Sequence, residues 1–186
     1  KLTDIKPFQV FYTDYTEIPY DNGKKKAYLM VLLDHSGKLV PGYALEKRKN
    51  TDTALKAIKR AATTLKELGY SFKDKIIHQD QDPVYTGYKW MREVLINQRA
   101  RISYSENGAK ENPYIEAFHS SLKRENNDLF LEAKNIWELK RVVKERIEYY
   151  NQERRHSTLG QVAPLTYLKR EKILPEETES LVRIGA

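Results

Sequence analysis

Pro7-Phe-Gln-Val-Phe-Tyr-Thr-Asp-Tyr-Thr-Glu-Ile18 is the stretch on which the fold turns. Phe8, Val10, Tyr12, Asp14 and Thr16 alternate with Gln9, Phe11, Thr13 and Tyr15. That period of two, with its aromatic and β-branched content, predicts a strand. If the strand is central, Asp14 stands where a hydrophobe is expected. Next come a turn at Asp21-Asn22-Gly23, a basic run Lys24 to Lys26, and a second apolar strand from Ala27 to Leu33. A turn at Asp34 to Gly37 and a third strand from Leu39 to Leu45 complete an antiparallel meander.

The period then changes. Ala54, Leu55, Ile58, Ala61, Ala62, Leu65 and Leu68 form one apolar helical stripe, with Thr51 or Asp52 as cap and Gly69 as stop. A fourth strand at Lys75 to His78 runs into Asp80, a helix is expected from Tyr85 to Asn97, and a fifth strand from Ala100 to Tyr104. Ser105 to Glu111 is polar and reads as a flexible connection. Asn112-Pro113 supplies a cap and a proline suited to a first helical turn. The longest late helix spans Asn135 to Tyr150, a short one begins at Ala163, and no convincing core pattern follows Lys169. This order predicts an α/β fold, a five-stranded mixed sheet flanked by helices. The expected division is a core over residues 1–168 and a tail or linker over 169–186.

Composition narrows the functional classes. The 186 residues suffice for one domain with a proper core. Lys and Arg number 33 against 26 acids, a formal charge of +7 that favours an anionic partner. No cysteine is present, which excludes disulfides, thiolate nucleophiles and Cys-ligated zinc, and fits a reducing cytoplasmic or nucleoid setting. Four histidines argue against a His-rich metal site. No apolar run is long enough to span a membrane, so no membrane partner is expected. Opening at Lys1 and entering a strand within ten residues, the chain reads as a piece of a longer protein.

Three carboxylates then stand out: Asp14, Asp80 in KIIHQDQDPVY, and Glu116 in NPYIEAFHSSLKRE, with 35 residues between the last two. Moving a phosphodiester bond requires an activated oxygen nucleophile and charge relief on the leaving oxygen. Two divalent ions about 3.5–4 Å apart supply both. Asp and Glu suit hard Mg²⁺, which prefers oxygen ligands and retains water. Each acid also has an ordinary reading: Asp14 on a solvated strand face, Asp80 as a turn former beside Asp82-Pro83, Glu116 as one charge of an amphipathic helix. The residues alone leave both readings open.

A family resemblance favours the first. IIHQDQDPVYT resembles the second-aspartate segment of bacterial insertion-sequence transposases of the IS3 group, relatives of retroviral integrases. NPYIEAFHSSLKRE resembles their glutamate helix, YYNQERRHSTLGQVAPLTYL the signature closing their catalytic core, and YTDYTEI the first aspartate, over about residues 7–168 in all. The resemblance implies an RNase H-like fold and a DDE triad carried onto Asp14, Asp80 and Glu116. It implies Mg²⁺ or Mn²⁺ as cofactor, two ions in the active complex, and DNA cleavage followed by strand transfer between transposon ends and target. It also implies a homo-oligomer in the synaptic complex and a bacterial, nucleoid-associated location. Two departures stand in this chain: Asp82-Pro83 where small residues are usual, and Phe11 where tryptophan is frequent.

Other candidates follow from the same comparison. Lys123 and Glu125 match the K-x-E after the catalytic glutamate; Lys123 is a candidate phosphate contact or a solvated helix charge, and Glu125 is a supporting residue. Asn151, Arg154, Arg155 and His156 match the YN…R.H motif, for DNA positioning or support of the site. Arginine forks suit phosphates, though a solvated loop has the same composition. His78 and His119, close in sequence to Asp80 and Glu116, are candidate partners of those acids or satisfied core residues. Lys24 to Lys26 and Lys47-Arg48-Lys49 carry no catalytic expectation. The rival readings are an RNase H-like nuclease that only hydrolyses and a catalytically inactive DNA-binding module.

Overall fold

The computed structural model describes residues 4–104 and 112–178. Strands β1 (Val10–Tyr20), β2 (Lys25–Asp34), β3 (Gly42–Glu46), β4 (Ile76–Gln79) and β5 (Arg101–Tyr104) form one sheet in the order β3-β2-β1-β4-β5. β1 pairs antiparallel with β2, and β2 with β3, whereas β4 runs parallel to both β1 and β5. This is the expected mixed α/β sheet of an RNase H-like fold.

The central strand is buried on both faces because helices cover both. Val10, Tyr12, Ile18 and Tyr20 of β1 join Ala27, Leu29, Val31 and Leu33 of β2 in one apolar layer. Helices α4 (Pro113–Glu132) and α5 (Ile136–Gln152) close that layer with Ile115, Phe118, Leu122, Leu139, Val143 and Ile147. The alternate residues Phe11, Tyr15, Met30 and Leu32 face a second layer. There α1 (Thr51–Glu67) contributes Ala54, Ala57, Ile58, Ala61 and Leu65. A one-residue slip of β1 would exchange the two layers, so burial on both faces locks its register.

Several local expectations change in detail. Asn50 caps α1, accepting from Thr53 N at 2.9 Å, one residue ahead of the expected cap. The helix expected from Tyr85 to Asn97 is broken into α2 (Pro83–Thr86), α3 (Tyr88–Arg92) and a wider turn at Glu93–Asn97. Gly87 causes the break with an extended ψ of 149°. Asn112 precedes α4 but makes no side-chain cap bond; it is buried, and Pro113 starts the helix. After α6 (Pro164–Arg170), Leu174 is still buried in the second layer, so packing continues beyond Lys169. The connection expected at Ser105 to Glu111 lies outside the described residues.

Gly42 is where β3 meets α1 backbone to backbone. A Cβ there would collide with Ala61 N and lie 2.7 Å from Ala57 O. Glycine sets that helix's distance from the sheet.

Candidate functional site

Asp14 is brought to Asp80 by strand register. Tyr12 of β1 pairs with His78 of β4 in parallel, so two residues further along each chain Asp14 and Asp80 lie side by side where β4 ends. Asp14 is half-buried, and its Oδ1 accepts from Tyr15 N at 2.7 Å. Burial, with smaller contributions from the negative charges of Asp80 and Asp82, raises its carboxyl to about 6, against the Tyr15 N–H and Lys49, which pull it down. Asp80 Oδ1 accepts from Asp82 N at 2.9 Å, which holds the carboxylate in the turn.

Asp82 is already engaged. Its Oδ1 caps α2 by accepting from Val84 N at 2.9 Å, and its Oδ2 pairs with Lys49 Nζ at 2.6 Å. Burial alone would raise this carboxyl, but Lys49 and the Val84 N–H hold it below its ordinary value. Lys49 also lies 5.5 Å from the centre of the Tyr15 ring. It is a cation that Asp82 holds close enough to act on Asp14, and nothing in the run Lys47-Arg48-Lys49 singles it out. Tyr85 packs fully buried beneath the pair; burial, then the charge of Asp14 and of Asp80, keeps its hydroxyl protonated well beyond the usual range.

Glu116 is exposed in the first turn of α4. Among the described residues no three His, Asp or Glu side chains lie together as a metal site. The structure thus joins Asp14 to Asp80 and leaves Glu116 on the helix that covers β1. That helix start is tied down by aromatic packing the sequence did not announce. Tyr114 stacks on Tyr12 at 5.2 Å between centroids, and His35 meets Tyr114 at 4.6 Å. Tyr12 Oη also bonds His35 Nδ1 at 3.0 Å.

The remaining candidates separate by burial. His78 Nδ1 bonds Ser103 Oγ at 3.1 Å, across to β5. His119 is buried beside Phe118, and burial, then Lys123, pushes its imidazole down to about 3, so it stays neutral. Lys123 is half-buried. Glu125 takes both arms of Arg154, Nε to Oε2 at 2.7 Å and Nη2 to Oε1 at 2.6 Å. This fork ties α4 to the segment after α5. Arg154 also approaches the His156 ring at 3.3 Å. Asn151 is fully buried: Val40 N donates to its Oδ1 at 2.9 Å and its Nδ2 donates to Val40 O at 3.0 Å. Asn151 therefore supports the fold and has no surface for DNA. Arg155 alone of these four is exposed.

Comparisons with known proteins agree with this architecture. A profile of the Integrase core domain family matches residues 4–110, and a second Integrase core domain profile matches residues 98–164. The chain is 30% identical over 163 residues to InsK, the inferred transposase of insertion sequence element IS150 in Escherichia coli (strain K12). That match takes in 87% of this chain and 55% of the relative, so the chain spans about half of that protein's length. Among solved structures, the HTLV-2 integrase catalytic core domain in complex with magnesium superposes with a TM-score of 0.65 at 16% identity, over 88% of this chain and 97% of that one. The catalytic core domain of BIV integrase gives 0.61 at 13% identity, over 89% and 97%. Likeness at that identity is likeness of fold.

Proposed function

We propose, from the premise that this chain belongs to the integrase core domain family, that it is the catalytic core of an insertion-sequence transposase. In this reading it cleaves a DNA strand and joins the freed 3′-hydroxyl to another phosphodiester. The observation that carries the reading is the half-buried pair Asp14–Asp80, two like charges set side by side by strand register. Such a pair is costly unless a cation joins it.

The donor set fits Mg²⁺ or Mn²⁺, since both groups offer carboxylate oxygens. Asp14 and Asp80 would hold the ion or ions, with Glu116 as the third ligand from α4. A bound divalent ion lowers the pKa of the attacking oxygen and takes up charge on the leaving oxygen. The chain's own part is orientation: Tyr15 N–H aims the Asp14 carboxylate, and Asp82 N–H aims that of Asp80. Lys49, held beside the pair by Asp82, would meet a DNA phosphate that approaches Asp14 and Asp80. DNA is the proposed partner, in keeping with the net charge of +7. Recognition of element ends and synapsis as a homo-oligomer in the bacterial nucleoid are proposed for the whole protein.

The test uses labelled, pre-nicked element-end DNA with a target duplex in Mg²⁺ or Mn²⁺, resolved on a denaturing gel. Joined strands that disappear in Asp80→Asn and Glu116→Gln are expected. Nicks without joining would indicate a hydrolytic nuclease, and wild-type joining by Asp80→Asn at equal DNA occupancy would refute the site. A thermal shift induced by Mn²⁺ in the wild type and absent in Asp14→Asn is the matching binding result.

A further inference from the structure

A cavity of about 580 Å³ opens between the turn after β2, the start of α4 and the segment after α5. Tyr114, Ala117, Phe118 and Ser121 line it from α4 at spacings of three and four, one helical stripe. At about 100° per residue, Glu116 projects roughly 150° from the middle of that stripe. The cavity is therefore on the flank of α4 turned away from Glu116, and it is separate from the acid pair.

Its charge is one-sided. Lys38, Arg154, Arg155 and His156 line it, and among the described residues no carboxylate does. Arg154 is committed to Glu125, but among the described residues neither Lys38 nor Arg155 has an acid in ion-pair range. Lys38 is half-buried, donates to His35 O, and rests 4.7 Å from the centre of the Tyr114 ring. Burial, then Arg154 and Lys38, depresses the His156 imidazole to about 4, against the carboxylate of Glu125. Ser121, Ser157 and Thr158 add hydroxyl donors to the same walls.

We propose that this cavity seats a backbone phosphate of DNA, gripped by Lys38 and Arg155, on a stretch of strand distant from the bond being cut. The proposal rests on the DNA reading above. A phosphodiester suits it better than a stacked base, because Tyr12 and Lys38 already cover the Tyr114 ring. Cations with hydroxyls make up the usual donor set for a nucleic-acid backbone. Arg154 acts differently, as the brace between α4 and the segment after α5 that shapes the cavity wall.

The test measures binding of a fluorescent DNA duplex by anisotropy in EDTA across a KCl series, with Lys38→Gln/Arg155→Gln against wild type. Loss of that one phosphate contact should weaken binding about tenfold near 0.1 M salt and flatten the log K against log salt slope by about 0.9. Lys38→Arg/Arg155→Lys should restore the slope, and thermal melting confirms that each variant folds. An unchanged slope in a folded double Gln variant overturns the proposal while the catalytic reading stands. Protection by inorganic phosphate that depends on Lys38 and Arg155, with the DNA slope unchanged, marks a small-anion site and also overturns it. Wild-type protein whose DNA binding ignores salt would overturn both readings.

Discussion

Asn151→Ala should destabilise the fold by about 3 kcal/mol without acting through DNA. Asn151 is wholly buried near the end of α5, and its carboxamide closes two hydrogen bonds, 2.9 and 3.0 Å, on the backbone of Val40. The substitution leaves both the Val40 N–H and its C=O buried and unpaired. Each such loss costs about 1–3 kcal/mol. Val40 sits in the chain between β2 and β3, so the damage unpins that connection from α5. In a domain of this size about 3 kcal/mol lowers the melting temperature by roughly 6–12 °C. Asn151→Asp should be at least as harmful, since it sets an acceptor against the Val40 oxygen and buries a charge. Urea unfolding at neutral pH is the assay, with a lower midpoint and an unchanged slope expected. A change within about 0.5 kcal/mol would refute the reasoning, as would an Asn151→Ala protein of full stability that had lost DNA binding.

Gly42→Ala should be severely destabilising, by about 2–3 kcal/mol or more, because the new Cβ meets rigid α1 backbone at Ala57 and Ala61; a midpoint equal to wild type in urea would show that β3 and α1 part freely. His119 should make the fold acid-sensitive. Its imidazole falls from about 6.5 unfolded to about 3 folded, so the unfolded chain takes the proton first; stability is full above about pH 6.5 and is lost as pH falls toward 3. His119→Leu should shift the change in urea midpoint between pH 7.5 and 4.5 toward greater stability at the acid end, against a background in which His156 and His35 act with the sign of His119 and the raised carboxyls of Asp14 and Asp34 act against it.

Periodicity was enough for the strand and helix sequence. The alternation through Phe8 to Thr16 located β1, and the apolar stripe from Ala54 to Leu65 located α1, because each pattern reports which faces are buried. Ends were less legible. Gly87 breaks what reads as one helix, since a single extended ψ interrupts the hydrogen-bond ladder without disturbing the apolar pattern. Leu174 is buried although the short run Ile173-Leu174 between Lys172 and Pro175 gives no periodic signal, because one side chain can fill a gap between elements that sequence spacing does not describe.

By itself, the sequence determined the family and the residue types of the acid site, since motifs such as HQDQDPVY and NPYIEAFHSSLKRE preserve chemistry at recognisable spacing. It also determined the mixed sheet, because local propensity and hydrophobic period act over a few neighbouring residues. Only the tertiary structure decided what each polar side chain faces. It paired Lys49 with Asp82, folded Asn151 onto Val40, locked Arg154 to Glu125 and gathered Lys38 with Arg155 around one cavity. Those partners lie 29 to 117 positions apart in the chain, as with the separation of 111 positions between Val40 and Asn151. Electrostatic and hydrogen-bond energies depend on distance in space and on burial, and neither is encoded in the local period of a sequence.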